Sequence, residues 1–481
     1  MDCHLNYIAG RWMPPESGTY YQTRNPARPA EVLGKFPCST EADVDHALAA
    51  ADSARPIWAS TPAPQRAALL VRFSQLLADS QSELARIVTL EQGKALQEST
   101  GEVARASSEA SFSAGEALRL CGNTFPSERP GFTCYTTLEP LGVVAAITPW
   151  NFPVVAPVRK IVPALACGNT VVLKPASLTP WSAVHITKLA EKAGLPAGVL
   201  NLVIGPGRTV GDRLVSDPRV RGISFTGSTT VGARINECAS RRMVKVQLEL
   251  GGKNPAIVLD CDDLDEAACE IVAAAFLCTG QRCTAVSRVL VEESLGDDLV
   301  ERLRLRILNI RIGNGLDPNN TMGPLVSREQ MDTVARYVSV GKEGGAKLVL
   351  GGHSLVKDAE QEGYFYAATL FDHVESDSPL ALDEIFGPVL PVIRVRNAEE
   401  AFRIANSTRY GLAAALFTRN PHLVHEFLRH VECGMAHINH GTASQAHIPF
   451  GGVKDSGQGA FSIGPTVKDA FTNIKTVYVK A

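Results

Sequence analysis

Residues 141–173 read LGVVAAITPWNFPVVAPVRKIVPALACGNTVVL. Residues 142–147 are small, apolar and partly β-branched, the composition of a strand buried on both faces. Residues 153–166 follow with helical spacing and read as a helix despite their prolines, and 170–173 return to a β-branched run. The alternation continues with a helix over 182–193 ended by Gly194, a strand over 199–204 and a short helix over 210–215. A strand over 222–225, a helix over 230–239 and a strand over 244–248 complete it. Strands alternating with helices predict an α/β fold, a parallel sheet covered on both faces. Ligands of such sheets bind beyond the carboxyl ends of the strands.

Outward from this stretch, a second α/β alternation begins at 256–260. It runs through helices over 265–278 and 297–308, with a strand over 288–292 between them, to about residue 439. The two runs meet near Leu250-Gly251-Gly252, where a domain boundary is expected. Residues 1–60 read as short strands, turns and one helix, opened by Ser39-Thr40-Glu41 with a cap and an acid in its first turn. Helices follow over 63–79 and 83–92, and helical character persists over 101–120. The tail TNIKTVYVK, 472–480, alternates like an exposed strand, which needs a partner in its own chain or a neighbour's.

Composition narrows the function classes. The chain has 481 residues, 45% hydrophobic and 20% charged, as globular proteins do. Its net charge of −3 gives no electrostatic footprint for nucleic acid or an anionic membrane. The longest apolar stretch, 141–157, carries four polar or proline interruptions (Pro149, Asn151, Pro153 and Pro157), so a spanning helix is not expected. Met1-Asp2-Cys3-His4 opens no secretory signal. Eleven cysteines without a CxxC pair read as reduced thiols of a cytoplasmic protein. His422, His425, Glu426 and His430 share a helix without HExxH spacing, and His437, His440 and His447 share a loop without a carboxylate; no metal site is expected.

Five features remain for chemistry. Phe225-Thr226-Gly227-Ser228 ends a strand and opens a helix, whose free amides attract a pyrophosphate. Gly205-Pro206-Gly207 with Gly211 is one residue too long for GxGxxG and is a weaker turn of the same kind. Cys283, in Thr279-Gly280-Gln281-Arg282-Cys283-Thr284, follows a glycine turn and adjoins a guanidinium that favours a thiolate. Glu249 ends a strand, and Gly251 and Gly252 beside it leave room for a ligand; it is the candidate base. Asn151 sits between two prolines directly after a strand, where a fixed amide can donate to a developing oxyanion.

Together these motifs resemble the aldehyde dehydrogenase superfamily. They occur in the family's order: PWNFP at 149–153, KPAS at 174–177, FTGS at 225–228, ELGGKNP at 249–255, GQRC at 280–283, EIFGPV at 384–389 and PFGGVKDSG at 449–457. In site pattern the chain resembles the succinate-semialdehyde and 2-oxoglutarate-semialdehyde dehydrogenases. The resemblance implies that Cys283 is the nucleophile, Glu249 the base of deacylation, Asn151 the oxyanion donor and Lys160 a lysine near that asparagine. For the cofactor, NAD or NADP, it implies Glu384 and Phe386 at the nicotinamide ribose, and Lys174 and Ser177 at the adenosine ribose. Trp150, Ser228, Phe225, Gly227 and Gly207 fall along the pyrophosphate. Ser177 stands where many NAD-selective relatives carry Glu, so no carboxylate repels a 2′-phosphate and NADP is expected to be accepted.

For the substrate, Arg159 matches an arginine that holds the carboxylate of a semialdehyde, and Ser444 matches its helper. Leu277 stands where a second arginine is found, leaving Arg282 or one of His437, His440 and His447 to compensate. The implied reaction is oxidation of a small anionic semialdehyde, such as succinate semialdehyde, through a thiohemiacetal and a thioester. Alternatives are 2-oxoglutarate or glutarate semialdehyde, a sulfonated or phosphonated aldehyde, or a general aldehyde. An acylating relative would not need Glu249, and a non-catalytic one would not need Cys283, Glu249 and Asn151 together. The implied architecture is a Rossmann-type cofactor domain from 1–120 and 142–250 and an α/β catalytic domain over 251–440. A bridging sheet from 121–141 and 470–481 would join a homodimer or homotetramer.

Overall fold

The computed structural model describes residues 2–355 and 363–481; Met1 and residues 356–362, the latter within the expected 251–440 domain, lie outside it. The first sheet runs Arg11–Met13, Asn6–Ile8, Leu200–Leu202, Thr170–Lys174, Val143–Ile147, Val220–Thr226, Lys245–Glu249, Gly457–Gln458. The five strands from Leu200–Leu202 to Lys245–Glu249 are parallel. Counted along the chain they stand in the order 3-2-1-4-5, so the winding reverses between Val143–Ile147 and Val220–Thr226 and a crevice opens there.

The central strand explains why this stretch is so apolar. Val144 and Ala146 pack into one core with Phe73, Ile161 and Leu165, whereas Val143, Ala145 and Ile147 pack into another with Leu48, Leu214 and Ile235. Alternate side chains thus enter opposite helical layers. The helix Val155–Ala166 is buried along its whole length. Pro157 falls in its first turn, where an N–H has no helical partner in any case, and Pro163 removes one bond.

The second sheet runs Lys347–Leu350, Thr369–Asp372, Val389–Val395, Val286–Glu292, Asn254–Val258, Ala413–Phe417, Met435–Ile438. Its strands are parallel apart from Lys347–Leu350. The terminal strand Thr472–Lys480 finds its partner in its own chain, pairing antiparallel with Phe132–Pro140 along its full length. Ile474, Tyr478 and Val479 on it remain exposed.

Two features differ from the expected segmentation. Beyond residue 440 the chain returns to the first sheet, adding Gly457–Gln458 as an antiparallel edge. The helix expected to reach Cys278 ends at Phe276, and Cys278, Thr279 and Gly280 are all left-handed, with φ of 54°, 59° and 71°. Thr279 Oγ1 donating to the Gly323 carbonyl (2.9 Å) holds this turn. Gly280 is needed as glycine, since a Cβ there would lie 2.3 Å from the Gly387 oxygen.

Candidate active site

A cavity of about 930 Å³ opens at the crevice, lined both by the strand ends of the first sheet and by segments of the second α/β layer. Trp150, Lys174, Gly207, Phe225, Gly227, Ser228, Glu384 and Phe386 all line it. Ser228 caps the helix Thr229–Ser240, its hydroxyl accepting from the Val231 N–H at 3.4 Å. Space beside Gly207 is open, and a Cβ on Gly211 would stand 3.8 Å from the Lys174 side chain. Lys174 is buried, its amine donates only to the Pro175 carbonyl (2.9 Å), and burial pulls its pKa down to about 8. A buried amine with spare donors beside an open helix N-terminus fits an anionic dinucleotide. Ser177 does not line the cavity; its hydroxyl donates to the Gly205 carbonyl at 3.1 Å.

At the other end of this groove, Glu384 accepts from the Gly252 N–H (2.9 Å), and burial pushes its pKa up to about 7. A Cβ on Gly251 would stand 2.2 Å from Glu384 Oε2, so this glycine is what lets the carboxylate in. Phe386 meets Trp150 edge-on at 5.4 Å, on a backbone with φ of 57°. Gln330 Nε2 holds that strained turn by donating to the Ile385 and Phe386 carbonyls.

Cys283, Glu249 and Asn151 line the same cavity. Burial pushes the Cys283 thiol up to about 11, with Glu249 and Glu384 adding to the rise and Arg159 and Arg282 opposing it. Glu249 Oε2 accepts from Thr226 Oγ1 (3.1 Å) and stands 3.8 Å from Arg159 Nη1; Oε1 is buried without a hydrogen-bond partner among the described residues. Asn151 Nδ2 donates to the Gln281 carbonyl, 2.9 Å away and two residues before the thiol. Lys160 is fully buried beneath, its pKa pulled down to about 8 by burial, and it donates to Ser224 Oγ (3.0 Å) rather than to Asn151.

Two supports of this turn have no signal in sequence spacing. Lys94 is buried, donates to the Asn151 carbonyl and to Glu102 Oε2 (2.7 Å each), and lies over the Phe152 ring. Glu102 Oε1 accepts from the Val154 and Val155 N–H groups and so caps the helix that carries Arg159 and Lys160. Both come from outside the recognised motifs, Glu102 from the helix Leu96–Glu116, whose small polar texture looks anonymous, and Lys94 from the turn before it.

The expected substrate residues are only partly brought together. Arg159 lines the cavity over the Phe450 ring (4.5 Å), but its fork grips Glu109 through Nε (3.0 Å) and Nη2 (2.7 Å). Arg282 lines it too, Nη2 donating to Thr284 Oγ1 and the Thr442 carbonyl. Leu277 lines it as an apolar surface. Ser444, His437, His440 and His447 do not line it; His437 packs edge-on against His440, and burial pulls its pKa down to about 4. Glu109 and Arg105, which do belong to this end, went unmarked in the sequence.

The comparisons agree with this geometry. The aldehyde dehydrogenase family model matches residues 12–477, and the chain belongs to that family of oxidoreductases, which use NAD or NADP. Among similar relatives, the alpha-ketoglutaric semialdehyde dehydrogenase of Bacillus subtilis is 41% identical, covering 99% of this chain and 98% of its own. The succinate-semialdehyde dehydrogenase [NADP(+)] of Escherichia coli is 39% identical, over 94% and 93%. The crystal structure of an Escherichia coli NADP dependent enzyme superposes with a TM-score of 0.96 at 36% identity, over 100% of this chain and 98% of that one. Among the described residues no helix is long and apolar enough to cross a membrane.

Proposed function

We propose that the chain oxidises a small anionic semialdehyde, such as succinate semialdehyde, to its carboxylate through covalent adducts on Cys283. Semialdehydes of 2-oxoglutarate and glutarate carry the same distal carboxylate one carbon further out and share the chemistry. The observation that carries this reading is the meeting of Cys283, Glu249 and Asn151 in one cavity with the guanidiniums of Arg159 and Arg282.

The thiol, held up at about 11, must give its proton to a base before it attacks, and Glu249 with its unpartnered Oε1 is the adjacent acceptor. The thiolate sulfur bonds to the aldehyde carbon as the C=O π bond opens. The resulting oxyanion lies against Asn151 Nδ2 and the Cys283 N–H, fixed donors that need no reorganisation. A bound nicotinamide supplies the acceptor for the hydride that this adduct loses. Trp150, Lys174, Gly207, Phe225, Gly227, Ser228, Glu384 and Phe386 hold the cofactor along the groove, with Ser177 behind the adenosine end. Once that first proton has passed from Glu249 to solvent, the carboxylate takes a proton from water, whose oxygen attacks the thioester carbon; the C–S bond breaks and Cys283 leaves as the thiolate. Lys160 acts at one remove, through its field on Glu249.

The division into a cofactor domain (1–120 and 142–250), a catalytic domain (251–440) and an oligomerisation sheet (121–141 and 470–481) completes the proposal. The free edge and exposed Ile474 and Tyr478 of the terminal strand suit a homodimer or homotetramer. Eleven unpaired cysteines suit the reducing cytoplasm. The test is kcat/KM for succinate semialdehyde against hexanal, each with NAD and with NADP. A large preference for the semialdehyde is expected; a preference for hexanal makes the enzyme a general aldehyde oxidiser.

A further inference from the structure

The far end of the cavity holds three guanidiniums, those of Arg105, Arg159 and Arg282. A chain of ion pairs links two of them to the base. Glu249 faces Arg159 (3.8 Å), Arg159 grips Glu109, and Glu109 Oε1 also accepts from Arg105 Nε at 2.8 Å. Glu98, the other carboxylate near Arg282, is committed to backbone, accepting from the N–H groups of Ala95 and Cys278. Glu102 is committed to Lys94 and the helix N-terminus.

Arg159 thus has both donors of its fork engaged, and Arg282 has Nη2 engaged by Thr284 and Thr442. Arg105 differs. Among the described residues only its Nε is engaged, by Glu109, and its side chain keeps 30% of its surface open where that of Arg159 keeps 7%. Its charge is disfavoured by burial and by the neighbouring Arg159 and Arg282. The walls between this end and the thiol are apolar, with Phe450, Leu277, Val155 and Ala156 among them. A short carbon chain ending in a carboxylate matches that sequence of surfaces.

We infer that Arg105 is the specificity-determining residue of this cavity, its guanidinium receiving the carboxylate at the far end of the substrate. The inference rests on the semialdehyde reading above and reassigns the anion contact from Arg159. Arg159 is then a positioning residue, which fixes Glu109 and faces the base. Arg105 lies on the helix Leu96–Glu116, far from every recognised motif, so the specificity is set by a residue outside them.

The test uses the full-length enzyme with Arg105→Leu and Arg105→Lys. Substrates are succinate and glutarate semialdehydes, paired with butanal and pentanal of the same chain lengths. In Arg105→Leu the ratio of kcat/KM, carboxylated over neutral, is expected to fall about tenfold or more, mostly through KM, with partial recovery in Arg105→Lys. Glutarate should raise the thermal midpoint of the wild type and not of Arg105→Leu, while NADP raises both. An unchanged ratio, or equal loss for both substrate types, overturns the assignment and returns the carboxylate to Arg159 or Arg282. A wild type with no preference for the carboxylated aldehydes overturns the semialdehyde reading itself, and this assignment with it. Should Arg105→Leu not fold, as loss of the NADP shift would reveal, the same ratio must still fall several-fold in Arg105→Lys.

Discussion

The two walls of the cavity are held in different ways. On the cofactor wall, residues are placed largely by backbone N–H groups and glycine spacing, within its own turn for Ser228 and across the sequence for Glu384. Ser228 caps the helix it opens, Gly251 makes room for Glu384, and the Gly252 N–H next to it binds that carboxylate. On the thiol wall, residues are placed by side chains from far along the chain. Lys94 holds Asn151, Glu102 holds the helix start, and Glu109 holds Arg159. A turn that carries its own restraints tolerates change at a distance; a site fixed by remote ion pairs does not. Mutations should therefore separate the walls.

The largest effect belongs to the thiol. Cys283→Ala should lower turnover on the order of 10⁴-fold or more, since the covalent route is lost, while the cofactor wall still binds NADP. Stopped-flow reduction and NADP fluorescence titration measure the two halves separately. Turnover persisting in the variant would remove Cys283 from its role, and lost NADP binding would mean the walls are one unit.

Next are the restraints themselves. Glu109→Gln leaves the buried Arg159 and the part-exposed Arg105 without their shared carboxylate. Breaking such a buried pair from one side costs roughly 3–5 kcal/mol. Ser228→Ala on the opposite wall removes one cap bond, at roughly 1 kcal/mol. Denaturant unfolding of both variants compares the walls directly. Equal losses would erase the distinction drawn between local and remote restraint.

This difference also accounts for what could be read from the chain alone. The five parallel strands, the PWNFP, FTGS and ELGGKNP turns and Cys283 were legible, because a buried strand followed by a turn and a helix start is a local pattern. So was the terminal strand's need for a partner; its identity, within 121–141, came from the family resemblance and not from spacing, since Phe132–Pro140 is more than three hundred residues upstream. Arg105, Glu109, Lys94 and Glu102 were not legible. Each does its work through a contact made only when helix Leu96–Glu116 or the turn before it packs on Val155–Ala166. The left-handed run at 278–280 was half legible: Gly280 announced a turn, but Cys278 and Thr279 adopt strained φ values that tertiary bonds impose.

A smaller effect is expected from Ser177→Glu. The hydroxyl is bonded to the Gly205 carbonyl, and in the proposed function it lies behind the adenosine end of the groove. A carboxylate there should repel a 2′-phosphate and accept from ribose hydroxyls, shifting the NADP-to-NAD ratio of kcat/KM by roughly tenfold toward NAD. An unmoved ratio would place the 2′-phosphate elsewhere.

The smallest effect is a pH dependence on the same wall. Burial holds Lys174 at about 8, well below the ordinary range of an amine. The charged amine attracts a phosphate and the neutral amine does not, and a bound phosphate in turn raises the amine's pKa. The attraction is therefore fully present below pH 8 and fades as the pH rises through it. NADP affinity should fall by up to about tenfold between roughly pH 7 and pH 9.5, with NAD, which lacks the 2′-phosphate, falling less. Lys174→Met should flatten the NADP curve at its high-pH level. Cofactor titration across this range with both variants of the dinucleotide decides the matter. A flat NADP curve in the wild type would mean that Lys174 keeps its bond to the Pro175 carbonyl and never turns to the phosphate.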